Sequence, residues 1–333
     1  MSLPRFEYIA PKTIDEAISV LSEHKGDARV IAGGTDILVN MKNRILTPGY
    51  LVDIKEIQGL DYIKNGKGDL RIGVLTTLNS IEASDIVKKT YPVLAKAAGD
   101  VGAILHRYSG TIGGNICLDT RCKYYNQSRL WRRGRPVCYK LGGEKDNCLL
   151  FASAKGKANK CYSVYSGDTA PTLMALGANV KVVGPGGERV IPLGEVFTGD
   201  GKRPISLDSA EVLTEVIVPA PAPHSSASYL KLRWREAIDF PLVGVAANIC
   251  LDSKDGACKA ASVVIGAIAS KPLEVTEAGD ILAGKKVTDA LIEEVGQAAF
   301  NKAKPLPNIG SCSREYRKEM AGVLTKRAIS SAL

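Results

Sequence analysis

The chain has 333 residues, enough for two or three compact units, and its 45% apolar and 24% charged residues are the balance of a globular protein. No window approaches the ~18 consecutive apolar residues of a membrane span, so a membrane protein is not expected. The net charge of +9 is concentrated in residues 129–136 (RLWRRGRP) and around REYRKEM near the C-terminus, with no helix-turn-helix, RRM or finger pattern beside it; this reads as a solvated or subunit-facing basic surface, or one that docks an acidic protein, and not as a nucleic-acid site.

The N-terminus, MSLPRFEYIAPKT, has neither an apolar signal core nor an Arg/Ser-rich transit pattern. A cytoplasmic location is expected, where the eight cysteines are thiols or metal ligands, not disulfides. Residues 13–21 place Ile14, Ala17, Ile18 and Leu21 at helical spacing, with Thr13 and Glu16 as a capping box. A strand over 28–32 runs into Gly33-Gly34-Thr35-Asp36, a helix restarts at ILVNM, and a strand follows over 50–54, so the opening segment is a βαβ-like unit. Residues 61–73 form a hairpin around Asn-Gly/Lys-Gly, and helical stretches near 77–85 and 92–104 lead to GTIGGN at 110–115.

Past a cysteine-rich region come a helix over 170–177, a second hairpin over 178–193 with a Gly-Pro-Gly-Gly turn, and a strand over 211–219. PAPAP at 219–223 is the clearest linker. Beyond it, 228–235, 242–251 and 259–268 form a strand meander, and helices near 274–283, 288–303 and 314–331 finish the chain.

Glycines between a strand and a helix start let the backbone approach an anion. Gly33-Gly34 and Gly113-Gly114 both have this context, each flanked by Thr and followed by Asp36 or Asn115. One such pair is explained by a tight turn; two point to a dinucleotide, though not to a Rossmann site, because neither reads G-x-G-x-x-G.

Residues 15–42, the GTIGGN run, residues 166–182 and the ending at 314–329 together resemble the FAD-binding (medium, β) subunit of the molybdenum hydroxylase/xanthine dehydrogenase family, over nearly the whole chain. The resemblance implies an α+β architecture: a two-subdomain FAD-binding (PCMH-type) fold plus a C-terminal domain of antiparallel sheet and helices, with a Cys-rich inserted segment. The implied divisions are 1–57 and 58–218 for the two subdomains, an iron–sulfur insertion at 117–165, the linker 219–223, and 224–333 for the C-terminal domain. It places the FAD pyrophosphate on Ile31, Ala32, Gly33, Gly34, Thr35 and Asp36 and on Thr111, Gly113, Gly114 and Asn115. Asp168 is implied on the sugar or adenine side and Lys231 near the isoalloxazine; read without the resemblance, Asp168 caps the following helix and Lys231 is an exposed strand residue. One departure is HRYSGTIGGN, which keeps Arg107 but has Tyr108 where the family often has Asn.

Between Asn115 and Gly167 lie Cys117, Cys122, Cys138, Cys148 and Cys161, in polar and basic surroundings that do not suit core thiols. Cys250, in an apolar strand, is expected to be a core thiol. The spacing C-x15-C-x9-C-x12-C from Cys122 matches neither ferredoxin runs nor paired C-x2-C zinc knuckles, leaving a cluster, zinc or free thiols open. Residues 117–132 (CLDTRCKYYNQSRLWR) and the cysteines after them are similar to the β subunits of 4-hydroxybenzoyl-CoA reductases. That similarity implies a [4Fe-4S] cluster on Cys122, Cys138, Cys148 and Cys161, with Cys117 the competing choice for the first ligand. Arg121, Arg129 and Arg132 are then placed to offset the cluster's charge or to steer an acidic ferredoxin.

His24, His106 and His224 are the only histidines, and no hydrolase triad, P-loop or molybdenum-cofactor site is visible. Substrate chemistry is therefore expected on a partner. The resemblance implies a molybdopterin-binding large subunit, a [2Fe-2S] small subunit, ferredoxin as electron donor, and a dimer of heterotrimers. Two other readings stay open: an FAD subunit passing electrons outward to NAD or another acceptor, and a zinc-stapled insertion used only for docking.

Overall fold

Three sheets organise the protein in the computed structural model, which describes residues 2–151, 158–307 and 312–333. The first contains β1 (Glu7–Ile9), β2 (Ala28–Ile31) and β3 (Tyr50–Asp53), joined through α1 (Ile14–Glu23) and α2 (Ile37–Lys42). Its strands run parallel in the order β1-β3-β2, the pairing that helical crossovers make possible. Thr13 caps α1 by accepting from the Glu16 N–H at 3.1 Å; the Glu16 carboxylate reaches back to the Lys12 N–H at 2.7 Å, so the capping box is displaced by one residue.

The second unit opens with the hairpin β4 (Ile63–Asn65) and β5 (Asp69–Gly73), followed by α3 (Leu78–Ala83), α4 (Asp85–Thr90), α5 (Pro92–Gly99), α6 (Ile104–Ser109) and α7 (Ile112–Ile116). The two helical stretches expected here are α3 and α5, and each is followed by a further short helix, α4 and α6. Ser84 takes an extended backbone that ends α3, and its hydroxyl caps α4 by accepting from the Val87 N–H; Gly102, at φ +56°, separates α5 from α6. Among its described residues the cysteine-bearing segment holds α8 (Arg129–Arg133), single 3₁₀ turns and an isolated bridge between Arg121 and Val164. Then come α9 (Thr169–Ala175), the hairpin β6 (Asn179–Gly184) and β7 (Gly187–Pro192), and β8 (Val212–Pro219), completing an antiparallel sheet in the order β4-β5-β8-β6-β7. Leu21 and Val52 of the first unit share one core with Ile72, Leu94, Ile112 and Val216 of the second.

The third unit is the antiparallel sheet of β9 (Ser225–Leu232), β10 (Val243–Leu251), β11 (Cys258–Gly266) and β12 (Leu273–Glu274), with α10 (Glu277–Leu282), α11 (Asp289–Lys302) and α12 (Arg314–Ser331) covering one face. On the other face Tyr229, Ala246 and Val264 pack against Val93 and Ala97 of α5 and Ala175 of α9. Arg317 is fully buried beneath α12 and donates to the carbonyl oxygens of Leu242 and Leu306 at 3.1 Å each, and to that of Ala267.

The expectation for Cys250 is corrected. Alternation along β10 sends Val245, Ala247 and Ile249 into the core under α11 and α12 and turns Cys250 to the opposite face, where it is half-buried. Cys258 is the core thiol of this sheet, 1% exposed. Among the described residues no helix is long and apolar enough to cross a membrane.

Candidate functional site

The two glycine turns lie against each other. After Ile31 and Ala32 the chain turns at Gly33, where a Cβ would sit 1.8 Å from the Ser109 carbonyl oxygen, and Gly34 has φ +72°, the left-handed region that favours glycine. The second turn is anchored from beneath, the Ile112 and Gly113 N–H groups donating to Thr76 and Val74 carbonyls at 3.0 Å each. Thr111 caps α7, its hydroxyl accepting from the Gly114 N–H at 3.1 Å. A Cβ on Gly113 would meet the Val74 Cβ at 2.8 Å, whereas one on Gly114 would touch nothing but Thr111 Oγ1, at 3.2 Å. Gly33 and Gly113 are therefore glycines because the protein packs on them. Gly114 has an open side, which suits the close approach of an anionic group to backbone amides.

Asp36, at the end of the first turn, pairs with Arg121 and accepts from Asn40 Nδ2 at 3.3 Å. Burial pushes its carboxyl above the usual range against the pull of Arg121, and nearby Asp119 adds to the rise. The pairing with Arg121 offsets the charge of Asp36 beside the two turns. Asn115 Oδ1 accepts from the N–H and hydroxyl of Thr169 at 3.2 and 2.6 Å, so its side chain joins the second turn to the start of α9. Arg107 is held by Glu82 at 2.8 Å, and Tyr108, the departure from the family pattern, is 60% exposed.

Asp168 and Lys231 face each other inside the protein. Lys231 Nζ donates to Asp168 Oδ2 at 3.0 Å and to the Asp100 carbonyl at 2.7 Å, and the Tyr229 hydroxyl donates to Asp168 Oδ1 at 2.7 Å. Their side chains are 3% and 1% exposed, so neither is open to a ligand in this arrangement. The reading of Asp168 as a helix cap is corrected, because its side chain makes no capping hydrogen bond and Asn115 serves that place; the reading of Lys231 as an exposed strand residue is corrected by its burial. The pair joins the second unit to β9. Burial pushes the Asp168 carboxyl up to about 6 against the pull of Lys231 and Tyr229.

Cys122, Cys138, Cys148 and Cys161 line a single cavity, with Tyr125 and Lys140 among its other walls. They arrive from four short, irregular stretches. Nearby backbone amides of Tyr124 and Tyr125 favour the thiolate of Cys122, those of Lys140 and Leu141 that of Cys138, and that of Leu150 that of Cys148, while the Tyr125 and Leu141 N–H groups donate to the Cys122 and Cys138 carbonyls at 3.0 and 2.8 Å. Burial pushes the Cys122 thiol up to about 11 and raises Cys138 and Cys148 as well, while these amides pull the other way. Without a positive centre burial keeps these thiols protonated; a bound positive centre would favour their thiolates. The Cys161 Sγ lies 3.2 Å from Ser163 Oγ, and the Cys161 N–H donates to Asp200 Oδ1 at 3.1 Å. Cys117, the C-cap of α7, does not line the cavity. Among the described residues no three His, Cys, Asp or Glu side chains close around a position for a single metal ion.

The structure thus joins residues 31–36 to 111–115, and gathers the four nominated cysteines, while Asp168 and Lys231 form a separate buried pair. Arg132 is turned inward, donating to the carbonyls of Asn43 and Arg44 at 2.8 and 2.9 Å, and Arg129 is exposed. Sequence reasoning missed Tyr229, which the two-residue strand period places on the same face as Lys231. It also missed Asp119 and Lys140, for which spacing carries no signal.

The chain matches the family descriptions "FAD binding domain in molybdopterin dehydrogenase" over residues 4–221 and "CO dehydrogenase flavoprotein C-terminal domain" over residues 227–332. It is 28% identical over 328 residues to the nicotinate dehydrogenase FAD-subunit of Eubacterium barkeri, covering 96% of this chain and 94% of that one. It is 32% identical over 314 residues to the aldehyde oxidoreductase FAD-binding subunit of Escherichia coli, covering 90% and 94%. The solved carbon monoxide dehydrogenase of Hydrogenophaga pseudoflava has a chain that superposes with a TM-score of 0.81 at 28% identity, over 100% of this chain and 98% of that one.

Gly114→Val is expected to abolish FAD retention while the denaturation midpoint stays near that of the parent. Gly33→Val is expected to lower stability by about 1–3 kcal/mol through backbone overpacking; equal stability losses in the two variants would show that Gly114 has no open side. Asp168 makes a pH prediction. The native state keeps this proton up to about pH 6, whereas an unfolded Asp releases it near pH 4, so stability falls as pH rises through that interval. Urea midpoints should fall more steeply between about pH 4 and pH 6 in the parent than in Asp168→Asn, whose amide cannot ionise.

Proposed function

The chain belongs to the family of FAD-binding medium subunits of the molybdenum hydroxylases, and on that premise we propose that it is the FAD- and [4Fe-4S]-carrying electron-transfer subunit of a 4-hydroxybenzoyl-CoA reductase. The observation that carries this reading is the convergence of Cys122, Cys138, Cys148 and Cys161 on one cavity. Four thiols lining one cavity, three of them with nearby amides that favour the thiolate, are the kind of ligand set a [4Fe-4S] cluster takes. The resemblance of residues 117–132 to the reductase β subunits supports the same assignment. It makes Cys122, not Cys117, the first ligand.

FAD is assigned to the joined turns, its pyrophosphate on residues 32–36 and 111–115 with the open side of Gly114 toward it. Ile31 ends the strand that delivers the first turn. Asp168 and Lys231 stand behind the site as the buried pair that fixes the C-terminal sheet against it. When bound, FAD supplies one- and two-electron chemistry and the cluster one-electron chemistry. The chain's own part is to hold both, and Arg121 spans them, pairing with the flavin turn's Asp36 on one side and preceding Cys122 on the other. Removal of the phenolic hydroxyl is assigned to a molybdopterin-binding large subunit, with a [2Fe-2S] small subunit completing a heterotrimer that pairs into a dimer. Electrons are assigned to enter from reduced ferredoxin.

The names of the similar nicotinate dehydrogenase and carbon monoxide dehydrogenase favour a second reading, in which the same subunit passes electrons outward to NAD or another acceptor. Two measurements decide. The purified chain should hold FAD with iron and acid-labile sulfide in the proportions of one [4Fe-4S] cluster, and Cys138→Ala should lose the iron but keep the flavin; zinc in place of iron would overturn the cluster. The assembled complex should dehydroxylate 4-hydroxybenzoyl-CoA with a low-potential donor. No turnover of that thioester beside brisk oxidation of a purine selects the second reading.

A further inference from the structure

An ammonium group is seldom buried, because taking it out of water costs several kcal/mol unless partners replace the solvent. Lys140, two residues after Cys138, has a side chain only 6% exposed and lines the same cavity as the four cysteines. Its partners are all in the cysteine-bearing segment. Nζ pairs with Asp119, donates to Thr120 Oγ1 at 2.6 Å and to the Thr120 carbonyl at 3.3 Å, and lies 4.3 Å from the centre of the Tyr125 ring. Asp119 is fixed in turn by the Tyr125 hydroxyl, which donates to its Oδ2 at 2.8 Å.

The contacts continue across the cavity wall. Thr120 Oγ1 lies 2.6 Å from Ser163 Oγ, which lies 3.2 Å from the sulfur of Cys161. Lys140 therefore sits between two cysteines, near Cys138 in sequence and linked to Cys161 through two hydroxyls. Most other basic groups among the segment's described residues are committed elsewhere. Arg121 pairs with Asp36, Arg132 donates to the backbone of Asn43, Arg44 and Gln127, Lys160 donates to the Gly199 carbonyl, Lys123 lies over the Tyr124 ring, and Arg129, Arg133, Arg135 and Lys145 are exposed. Water screens the exposed arginines, while a charge held within a low-dielectric wall acts on the cavity at much greater strength.

We propose that Lys140 is the residue that sets the reduction potential of the centre held by Cys122, Cys138, Cys148 and Cys161. Fixed by Asp119 and Thr120, its ammonium stabilises the form carrying one more electron. The electron comes from the low-potential donor, which is oxidised; no bond is made or broken. Asp119 works in the opposite sense, since its carboxylate offsets part of the ammonium's field. This inference rests on the cluster reading above and has its own test.

The test is a redox titration of the iron-loaded protein followed by EPR. Lys140→Met should lower the midpoint by a tenfold or greater loss of electron affinity, about 59 mV for a one-electron couple, and Lys140→Arg should recover most of it. Asp119→Asn should move the midpoint upward. A role limited to holding the segment in shape would move Lys140→Met and Asp119→Asn in the same direction, and that result, or an unchanged midpoint in Lys140→Met with its iron retained, overturns the proposal. If Lys140→Met loads no iron, the decision falls to Asp119→Asn, where a midpoint that is unchanged or lower has the same consequence. Iron analysis of the parent chain separates the two failures, because a parent without iron removes the cluster reading itself.

Discussion

The arrangement of the site depends on a backbone meeting a backbone. Gly33 comes so near the Ser109 carbonyl that no side chain fits between them, and this contact presses the turn after β2 onto the segment that leads into α7. The two turns belong to different units, the first following β2 and the second opening α7, so neither unit alone presents both sets of amides. Hydrogen bonds from Ile112 and Gly113 to Thr76 and Val74 hold the second turn in that position. The cysteine-bearing segment leaves directly from the end of α7, so its starting point is fixed by the same contact.

Buried charge then fixes how the remaining parts meet. Asp168 and Lys231 come from different units, and each would be costly to bury without the other. Tyr229 and the Asp100 carbonyl complete their hydrogen bonding, so the C-terminal sheet has one well-defined way to dock. Arg317 does similar work inside the last unit, where burial pulls its guanidinium down to about 10 and three carbonyls take up its donors. Apolar packing of small side chains such as Ala97, Ala175 and Ala246 permits the close approach but does not specify it.

The cysteine-bearing segment follows a different logic. Its described residues have little regular structure, and Cys122 and Tyr125 pack on Ile45 of the first unit. Arg121 to Asp36, Arg132 to the backbone after α2, and Lys140 to Asp119 supply much of the rest of its order. Thiols gathered in such a segment are poor core material and good ligands, since nearby amides favour the ionised form of three of them, which burial alone opposes. A bound centre would resolve that opposition and so contribute to the folding of the segment.

By itself the sequence determined what depends on local pattern. Helical spacing in residues 14–21, the Asn-Gly and Pro-Gly hairpins, the strand meander after PAPAP and the two glycine turns were legible because neighbours along the chain set their conformation. Number and polar context singled out five cysteines, whose spacing named no metal, and the choice of four among them came from the resemblance. Contacts between distant residues were not legible. Asn115 capping α9, Asp168 facing Lys231 and Lys140 reaching the cavity wall pair residues tens of positions apart or depend on irregular backbone, and no periodicity encodes them. Cys250 shows the limit within a regular element: the sequence placed it on a strand, but which face of that strand meets the core was decided by the helices that pack on it.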